Sequence, residues 1–185
     1  MIARVLGAAC VAVLLLGACA VAPLAPRDPK PFDLLGRVLV TYSGGALAAN
    51  SRWQHAAEQD ELWLMTPTGQ TLAYVVDSPA GAVLTRADQQ KYEAQNVETL
   101  TRNALGWALP LSLMQYWVRG MPAPGEVETG KTDANGPASL AQHGWRVDLA
   151  YYTEGEFAGR VHRLDMSDGA NQIRFVIDTW RASAP

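Results

Sequence analysis

The sequence predicts a mainly β fold, an antiparallel meander broken once near its middle by two short helices. Two observations carry this. Segments with every second residue apolar recur along most of the chain, separated by short Gly-, Pro- and Ser-rich gaps, the pattern of consecutive strands that bury one face. Between Asn96 and Val118 the apolar spacing changes to three and four, the helical period. Size is a third: 185 residues, less an export signal, fall within the usual range for one domain.

The first element is an apolar N-terminus. Arg4 precedes a run of apolar and small residues from Val5 to Ala18. The run is shorter than the about 20 residues of a membrane span, and it lacks the polar face of a packed helix. A basic tip, a short apolar core and small residues before a cut describe an export signal, assigned to residues 1–18. Both cysteines of the chain, Cys10 and Cys19, lie here. Leu16-Gly17-Ala18-Cys19 resembles the lipobox of bacterial lipoproteins, whose Cys takes diacylglycerol and becomes the mature N-terminus. Cys10 has Gly7 where Leu is needed, with more apolar chain still to come, so it leaves with the signal. Cys19 is the expected lipidation site, and the mature chain keeps no thiol pair for a disulfide. Buried acyl chains give about 0.8 kcal/mol per CH2, and two or more make anchoring stable. In many Gram-negative lipoproteins Asp after the Cys resembles an inner-membrane retention signal. Ala20 stands there instead, which implies the outer membrane, facing the periplasm. Residues 19–31, Pro-rich from Ala22 to Pro31, read as the lipidated N-terminus and a stiff tether, and residues 32–185 as the domain.

The first strand, FDLLGRVLVTY from Phe32 to Tyr42, sets Leu34, Gly36, Val38 and Val40 on one parity and Arg37 on the other. After Ser43-Gly44-Gly45, ALAANSRWQ sets Leu47, Ala49, Ser51 and Trp53 on one face, completing a hairpin pattern. ELWLMT and TLAYVVD flank the turn-like Pro67-Thr68-Gly69, and AVLT and KYEA are shorter strands. Asn96 can cap a helix from Val97 to about Leu105. Gly106-Trp107-Ala108-Leu109 ends it, and Pro110 suits the first turn of a second helix, Pro110 to Val118. There Leu113, Met114, Trp117 and Val118 form an apolar stripe, stopped by Gly120 and Pro122. Residues 121–139, rich in Pro, Gly and acid, read as an exposed loop. GWRVDLAYY comes next, with Trp145, Val147, Leu149 and Tyr151 on one face, then RVHRLDM and QIRFVIDTW. Short connections between successive strands favour antiparallel pairing.

Composition narrows the function. The chain has 15 Lys and Arg against 18 Asp and Glu, a net charge of −3, and the signal's lone Arg4 leaves the rest one unit more negative. A mildly acidic chain offers no basic footprint for nucleic acid. His55, His143 and His162 are scattered, without metal-ligand spacing. Walker A, G-x-S-x-G and dinucleotide fingerprints are missing. Asp60-Glu61, Glu126 and Glu128 fall in turns and loops and read as solvated charge. The expectation is a binding protein that uses no cofactor and no metal, rather than an enzyme.

A series of motifs then resembles the LolB family of outer-membrane lipoprotein receptors: FDLLGRVLV, RWQ, P-x-G-x-T at Pro67, Gly69 and Thr71, Leu105-Gly106-Trp107, Leu109-Pro110-Leu111, Leu113, Trp117, Gly120, Pro122, Gly144-Trp145 and IRFVIDTW. They span Phe32 to Trp180, and their order and spacing carry the resemblance more than any one pair does. The resemblance implies an unclosed antiparallel β-barrel, a half-barrel whose helices cover an apolar cavity. It implies a receptor that accepts lipoproteins from the soluble periplasmic carrier LolA and releases them into the outer membrane without nucleotide. The partners are then LolA, the acyl chains of its cargo and the membrane that holds the anchor; a monomer is expected, and no nucleic acid.

Acyl chains lack directional groups, so such a receptor needs apolar area. The resemblance assigns the acyl-chain cavity to Trp53, Leu64, Leu105, Trp107, Leu109, Leu113, Trp117 and Trp145. In the family the turn between the third and fourth strands commonly reads Pro-Leu-Gly, and its exposed apolar residue is implicated in membrane delivery. Here Pro67-Thr68-Gly69 puts a polar Thr68 at that place, which leaves Met65 and Leu72 as neighbouring candidates. A structural envelope lipoprotein with a filled core, acting as an assembly or scaffold factor, is the alternative.

Overall fold

The computed structural model describes residues 25–181. The expectations for the export signal and for Cys19 lie outside the described residues. Eleven strands form one antiparallel sheet: β1 (Phe32–Tyr42), β2 (Gly45–His55), β3 (Asp60–Met65), β4 (Thr71–Ser78), β5 (Gly81–Arg86), β6 (Lys91–Ala94), β7 (Thr129–Asp133), β8 (Gly136–Gln142), β9 (Trp145–Tyr151), β10 (Val161–Ser167) and β11 (Gln172–Arg181). Their order is β6-β5-β4-β3-β2-β1-β11-β10-β9-β8-β7. The terminal strands β6 and β7 do not pair, so the sheet stays open, as a half-barrel requires. Between β6 and β7 the chain forms α1 (Val97–Leu105) and α2 (Leu111–Trp117).

The β1–β11 ladder joins the two halves and carries an irregularity at Leu35/Gly36. A Cβ at Gly36 would stand 2.0 Å from the Val176 carbonyl oxygen, so only glycine lets the two strands approach there. The parities expected on β1, β2 and β9 are the observed ones: Leu34, Val38, Val40, Ala49, Trp53, Trp145, Val147 and Leu149 are all buried. Ile173, Phe175 and Ile177 of β11 and Val161, Leu164 and Met166 of β10 complete that face.

Both helices stand where their signals put them. The Asn96 side chain accepts from the Thr99 N–H, and Gly106 closes α1 in the left-handed region, at φ 85°. Thr101 ties α1 to the segment leading into α2: its Oγ1 donates to the Val97 carbonyl at 2.8 Å and accepts from the Leu109 N–H at 2.9 Å. Ser112 Oγ donates to Glu98 Oε1 at 2.7 Å, fixing the start of α2 to the start of α1.

Three expectations change. Residues 121–139 are not all loop, since they hold β7 and the start of β8. Thr129–Asp133 is exposed throughout, so it has no apolar period to betray a strand. Pro137, which lacks an N–H, sits beside a register shift and before the residues that pair with β9. The carboxylate Asp60 is not solvated but buried, because Trp53 and His55 of the neighbouring strand and the remote Arg27 converge on it. The last part of the expected tether, Ala25–Lys30, is docked on the domain and not free.

That docking is dense. Arg27 forms ion pairs with Asp60 on β3 and Asp77 on β4. The Asp28 N–H donates to Gln115 Oε1 at 2.8 Å, and its carboxylate pairs with Arg119 just past α2. Tyr116 OH donates to the Pro26 carbonyl at 2.6 Å, and Arg119 Nη2 to the Lys30 carbonyl at 2.9 Å. The segment thereby straps α2 to the end of the sheet.

Candidate functional site

Inside the half-barrel, the sheet and the Trp107–Met114 segment face one another across a small apolar cavity. Val38, Ser51, Trp53, Leu62, Leu64 and Phe175 line it from β1, β2, β3 and β11, and Trp107, Leu109, Leu111 and Met114 from the helical side. Its volume is about 10 Å³, room for about one water molecule. This is a closed interior that a long chain can enter only if its walls separate. Wider depressions, such as one of about 270 Å³ between Arg146, Asp148, Asp165 and Arg174, are open grooves on the other face of the sheet. The charged walls of that groove suit water better than hydrocarbon.

Of the eight expected cavity residues, Trp53, Leu64, Trp107 and Leu109 come together here. The other four do not line it. Leu105 is half-buried at the end of α1, and Leu113 packs into the surrounding core. Trp117 is fully buried, and its indole Nε1 donates to Gln142 Oε1 at 3.4 Å. Gln142 in turn accepts from the Ala123 N–H at 3.0 Å and donates to the Ala123 carbonyl at 2.6 Å, so Trp117 serves the α2–β8 junction. Trp145 pairs with Gln142 across β8 and β9. The cavity residues missing from the expectation are within reach of the same pattern. Val38 and Ser51 share parity with Leu34 and Trp53, and Met114 belongs to the α2 stripe. Phe175 alternates with Ile173 and Ile177, a period of two that marks the inner face of β11.

At one end the apolar interior meets a buried polar cluster. Trp53 Nε1 donates to Asp60 Oδ1 at 2.7 Å, and His55 Nδ1 contacts the same oxygen at 2.7 Å. His55 Nε2 lies 2.6 Å from the Asp28 carbonyl. Both His55 nitrogens thus face oxygen atoms, one of a side chain and one of the backbone. Phe32 stacks on His55 at 4.7 Å and meets Trp53 edge-on at 4.8 Å, sealing the cluster from the sheet side. Burial pushes the Asp77 carboxyl up to about 6; Arg27 opposes the rise, and the Asp60 and Glu98 carboxylates add to it. For Asp28, burial works upward, but the Lys30 N–H and the Arg119 guanidinium outweigh it and hold the carboxyl below its ordinary value.

The turn after β3 is exposed at Pro67, Thr68 and Gly69. The Gly69 N–H donates to the Thr66 carbonyl at 2.9 Å, with Pro67 at the second position and Gly69 at φ 86°. Thr68 Oγ1 is spent on Thr66 Oγ1 at 2.8 Å. Met65 and Leu72 flank the turn half-buried, and Leu72 packs on the core. Arg37, on the outer parity of β1, makes a bidentate pair with Asp178 of β11. Among the described residues no group of three or more His, Cys, Asp and Glu side chains is arranged to hold a metal ion.

An open antiparallel half-barrel with an apolar interior under two helices matches the architecture that the motifs imply, and comparison with known proteins agrees. The family described as "Outer membrane lipoprotein LolB" matches residues 30–180. The chain belongs to the LolB family. It is 36% identical over 179 residues to the outer-membrane lipoprotein LolB of Azoarcus sp. (strain BH72), covering 93% of this chain and 92% of that one. It is 34% identical to the LolB of Chromobacterium violaceum, covering 91% and 94%, and 34% identical to that of Thiobacillus denitrificans, covering 92% and 93%. Outer-membrane lipoprotein describes each of these relatives, and none of the three names states an enzymatic activity. The LolB match runs from the last residue of the docked strap to the penultimate residue of β11, so it covers the cavity, the Trp53, His55 and Asp60 side chains of the polar cluster and the Pro67–Gly69 turn together.

Proposed function

We propose that this LolB-family chain is an outer-membrane receptor that takes lipoproteins from the periplasmic carrier LolA and passes them to the membrane. The observation that supports it most is the enclosed apolar cavity between the sheet and the Trp107–Met114 segment, whose lining is hydrocarbon, aromatic and the Met114 thioether apart from Ser51. Acyl chains occupy this space when the walls part, and they gain from burial alone. Because the interior is closed when empty, opening costs free energy that the incoming chains return. Cargo therefore moves down an affinity gradient, in which about 1.4 kcal/mol is worth tenfold. Cys19 carries the acyl anchor that keeps the receptor at the outer membrane, the chain acts as a monomer, and it performs no catalysis. Release uses the turn after β3, with Met65 or Leu72 as the neighbouring apolar alternative.

The test is transfer. A purified complex of LolA with a labelled lipoprotein is mixed with the acylated chain, and cargo is followed by pull-down of each protein. Cargo should leave LolA for this chain without nucleotide, then appear in added liposomes. Cargo that stays on LolA would sink the proposal and favour the scaffold alternative. In a metabolic labelling experiment with fatty acid, the wild-type chain should take up label and Cys19→Ala should not.

A further inference from the structure

One polar group in the interior has no structural partner. Among the described residues, two buried side-chain atoms lack a hydrogen bond, Ser51 Oγ and Arg119 Nη1. Arg119 Nη1 still faces the Asp28 carboxylate as an ion pair. Ser51 Oγ has nothing comparable. The residue is 2% exposed, lies mid-strand on β2, and is paired with Gly36 and Leu64, neither of which offers a side-chain acceptor.

Leaving a buried hydroxyl unpaired costs about 1–3 kcal/mol, whereas an alanine at this place would cost nothing of the kind. A buried water does not explain it. The cavity holds about one water at most, and a stable buried water needs two to four polar partners. Ser51 is the only lining residue whose side chain is neither purely hydrocarbon, thioether nor aromatic, and Trp53, the nearest indole on its strand, spends its N–H on Asp60. The partner that satisfies Ser51 must therefore arrive with the ligand. It must be an acceptor carried on an otherwise apolar chain.

We propose that Ser51 is the polar recognition point of the cavity and donates its hydroxyl hydrogen to the carbonyl oxygen of a bound acyl group, an ester or an amide. The assignment rests on the acyl-chain reading of the cavity. It adds to that reading a preference for acyl groups over plain hydrocarbon, which burial area alone does not provide. Phospholipids and lipoproteins both carry such carbonyls, and the chemistry at Ser51 is common to them.

The test compares matched ligands. Full-length acylated chain, wild type and Ser51→Ala, is kept in solution with a fluorinated surfactant, which does not dissolve hydrocarbon chains. Binding of n-hexadecane and of methyl palmitate is followed by the emission of the cavity tryptophans. Both proteins should bind hexadecane within about twofold, and Ser51→Ala should bind methyl palmitate about threefold to tenfold more weakly, the value of one net hydrogen bond. With methyl palmitate carrying carbon-13 at the carbonyl, its infrared band should lie lower in frequency on the wild type than on the variant. A triacylated cysteinyl peptide and dipalmitoyl phosphatidylglycerol form two further arms; the arm or arms weakened by Ser51→Ala name the source of the carbonyl. Unchanged ratios in every arm, with an unshifted band, would overturn the role of Ser51 while leaving the cavity intact. No binding of hexadecane to the wild type would overturn the cavity reading itself, and Ser51 with it. The empty variant should melt at or above the wild-type temperature, because it loses an unpaired group. A variant that unfolds would show that the hydroxyl holds the structure together, and would also refute the proposal.

Discussion

The two ends of the interior handle desolvation in opposite ways. Around Asp60 the chain has buried charge and covered it: Arg27, His55 and the Trp53 indole converge on one carboxylate, and the Asp28 carbonyl caps the far side of the imidazole. Back along β2 from His55 and Trp53, Ser51 sits in an apolar wall with its hydroxyl unpaired, beside a space of about 10 Å³. The first region is finished without any ligand, and its contacts fix one geometry. The second is unfinished, closed by apolar contact that has no direction and can re-form around something else. A receptor for flexible chains needs both, a rigid frame that holds the sheet and a wall that can yield. Trp53 belongs to each, with its N–H in the cluster and its ring on the cavity.

This contrast gives a ranking of effects. The largest should come from the polar end. Asp60→Ala leaves Arg27, His55 and the Trp53 N–H facing an empty site, and breaking a buried ion pair from one side costs about 3–5 kcal/mol. Urea unfolding should show that loss, and a cost below about 1 kcal/mol would mean that the cluster is decoration and not frame.

Next is the effect of pH. The Asp77 carboxyl has a folded value of about 6 against 3.8 in the unfolded chain. Between those values the folded chain holds a proton that the unfolded chain has lost, so this group's contribution is full below pH 3.8 and disappears as pH rises through about 6. Relative to Asp77→Asn, the wild type should gain about 1 kcal/mol of stability on going from pH 7 to pH 5. Parallel stability curves for the two proteins would contradict the assignment. Asp28, held low by Lys30 and Arg119, works in the opposite sense, stabilising above the ordinary carboxylate range and losing that effect as pH falls through its lowered value.

The smallest change in stability, within about 0.5 kcal/mol, is expected at the exposed Thr68. Its effect should be on delivery. An apolar side chain fully buried in lipid gains about 1.5–3 kcal/mol, so Thr68→Leu should speed release of cargo into liposomes without altering uptake from LolA. Thr68→Glu should slow it through the cost of desolvating charge. Equal release by all three would move the delivery step to Met65, Leu72 or the helical wall.

The sheet was legible wherever one face is buried and the other wet, because alternation then records the fold directly: β1, β2 and β9 show this, as does the capped α1. Legibility failed where that contrast vanishes. Thr129–Asp133 is exposed on both faces, and Asp60 looked like a surface carboxylate because its cationic partner Arg27 lies 33 residues away and the inward turn of His55 and Trp53 onto it is tertiary. The docking of Ala25–Lys30 was hidden for a related reason. A Pro-rich stretch with charges suits a solvated tether, and only the tertiary positions of Gln115, Tyr116 and Arg119 make it a strap. Among the tryptophans, sequence could not separate cavity from core. Trp107 lies between the two helices and Trp117 ends the second, yet one faces the cavity while the other turns to Gln142.

The most direct test asks where the acyl chains go. A photoreactive residue is placed singly at Leu64, at Leu109 and at Leu39, and cargo is transferred from LolA under illumination. Leu64 and Leu109 face the cavity, whereas Leu39 is an exposed side chain of β1, on the parity opposite to Val38 and Val40. Cross-links to the lipoprotein's acyl chains from Leu64 and Leu109, with none from Leu39, are the predicted result. Cross-links from Leu39 alone, or equally from all three, would contradict a receptor that binds its cargo inside the half-barrel.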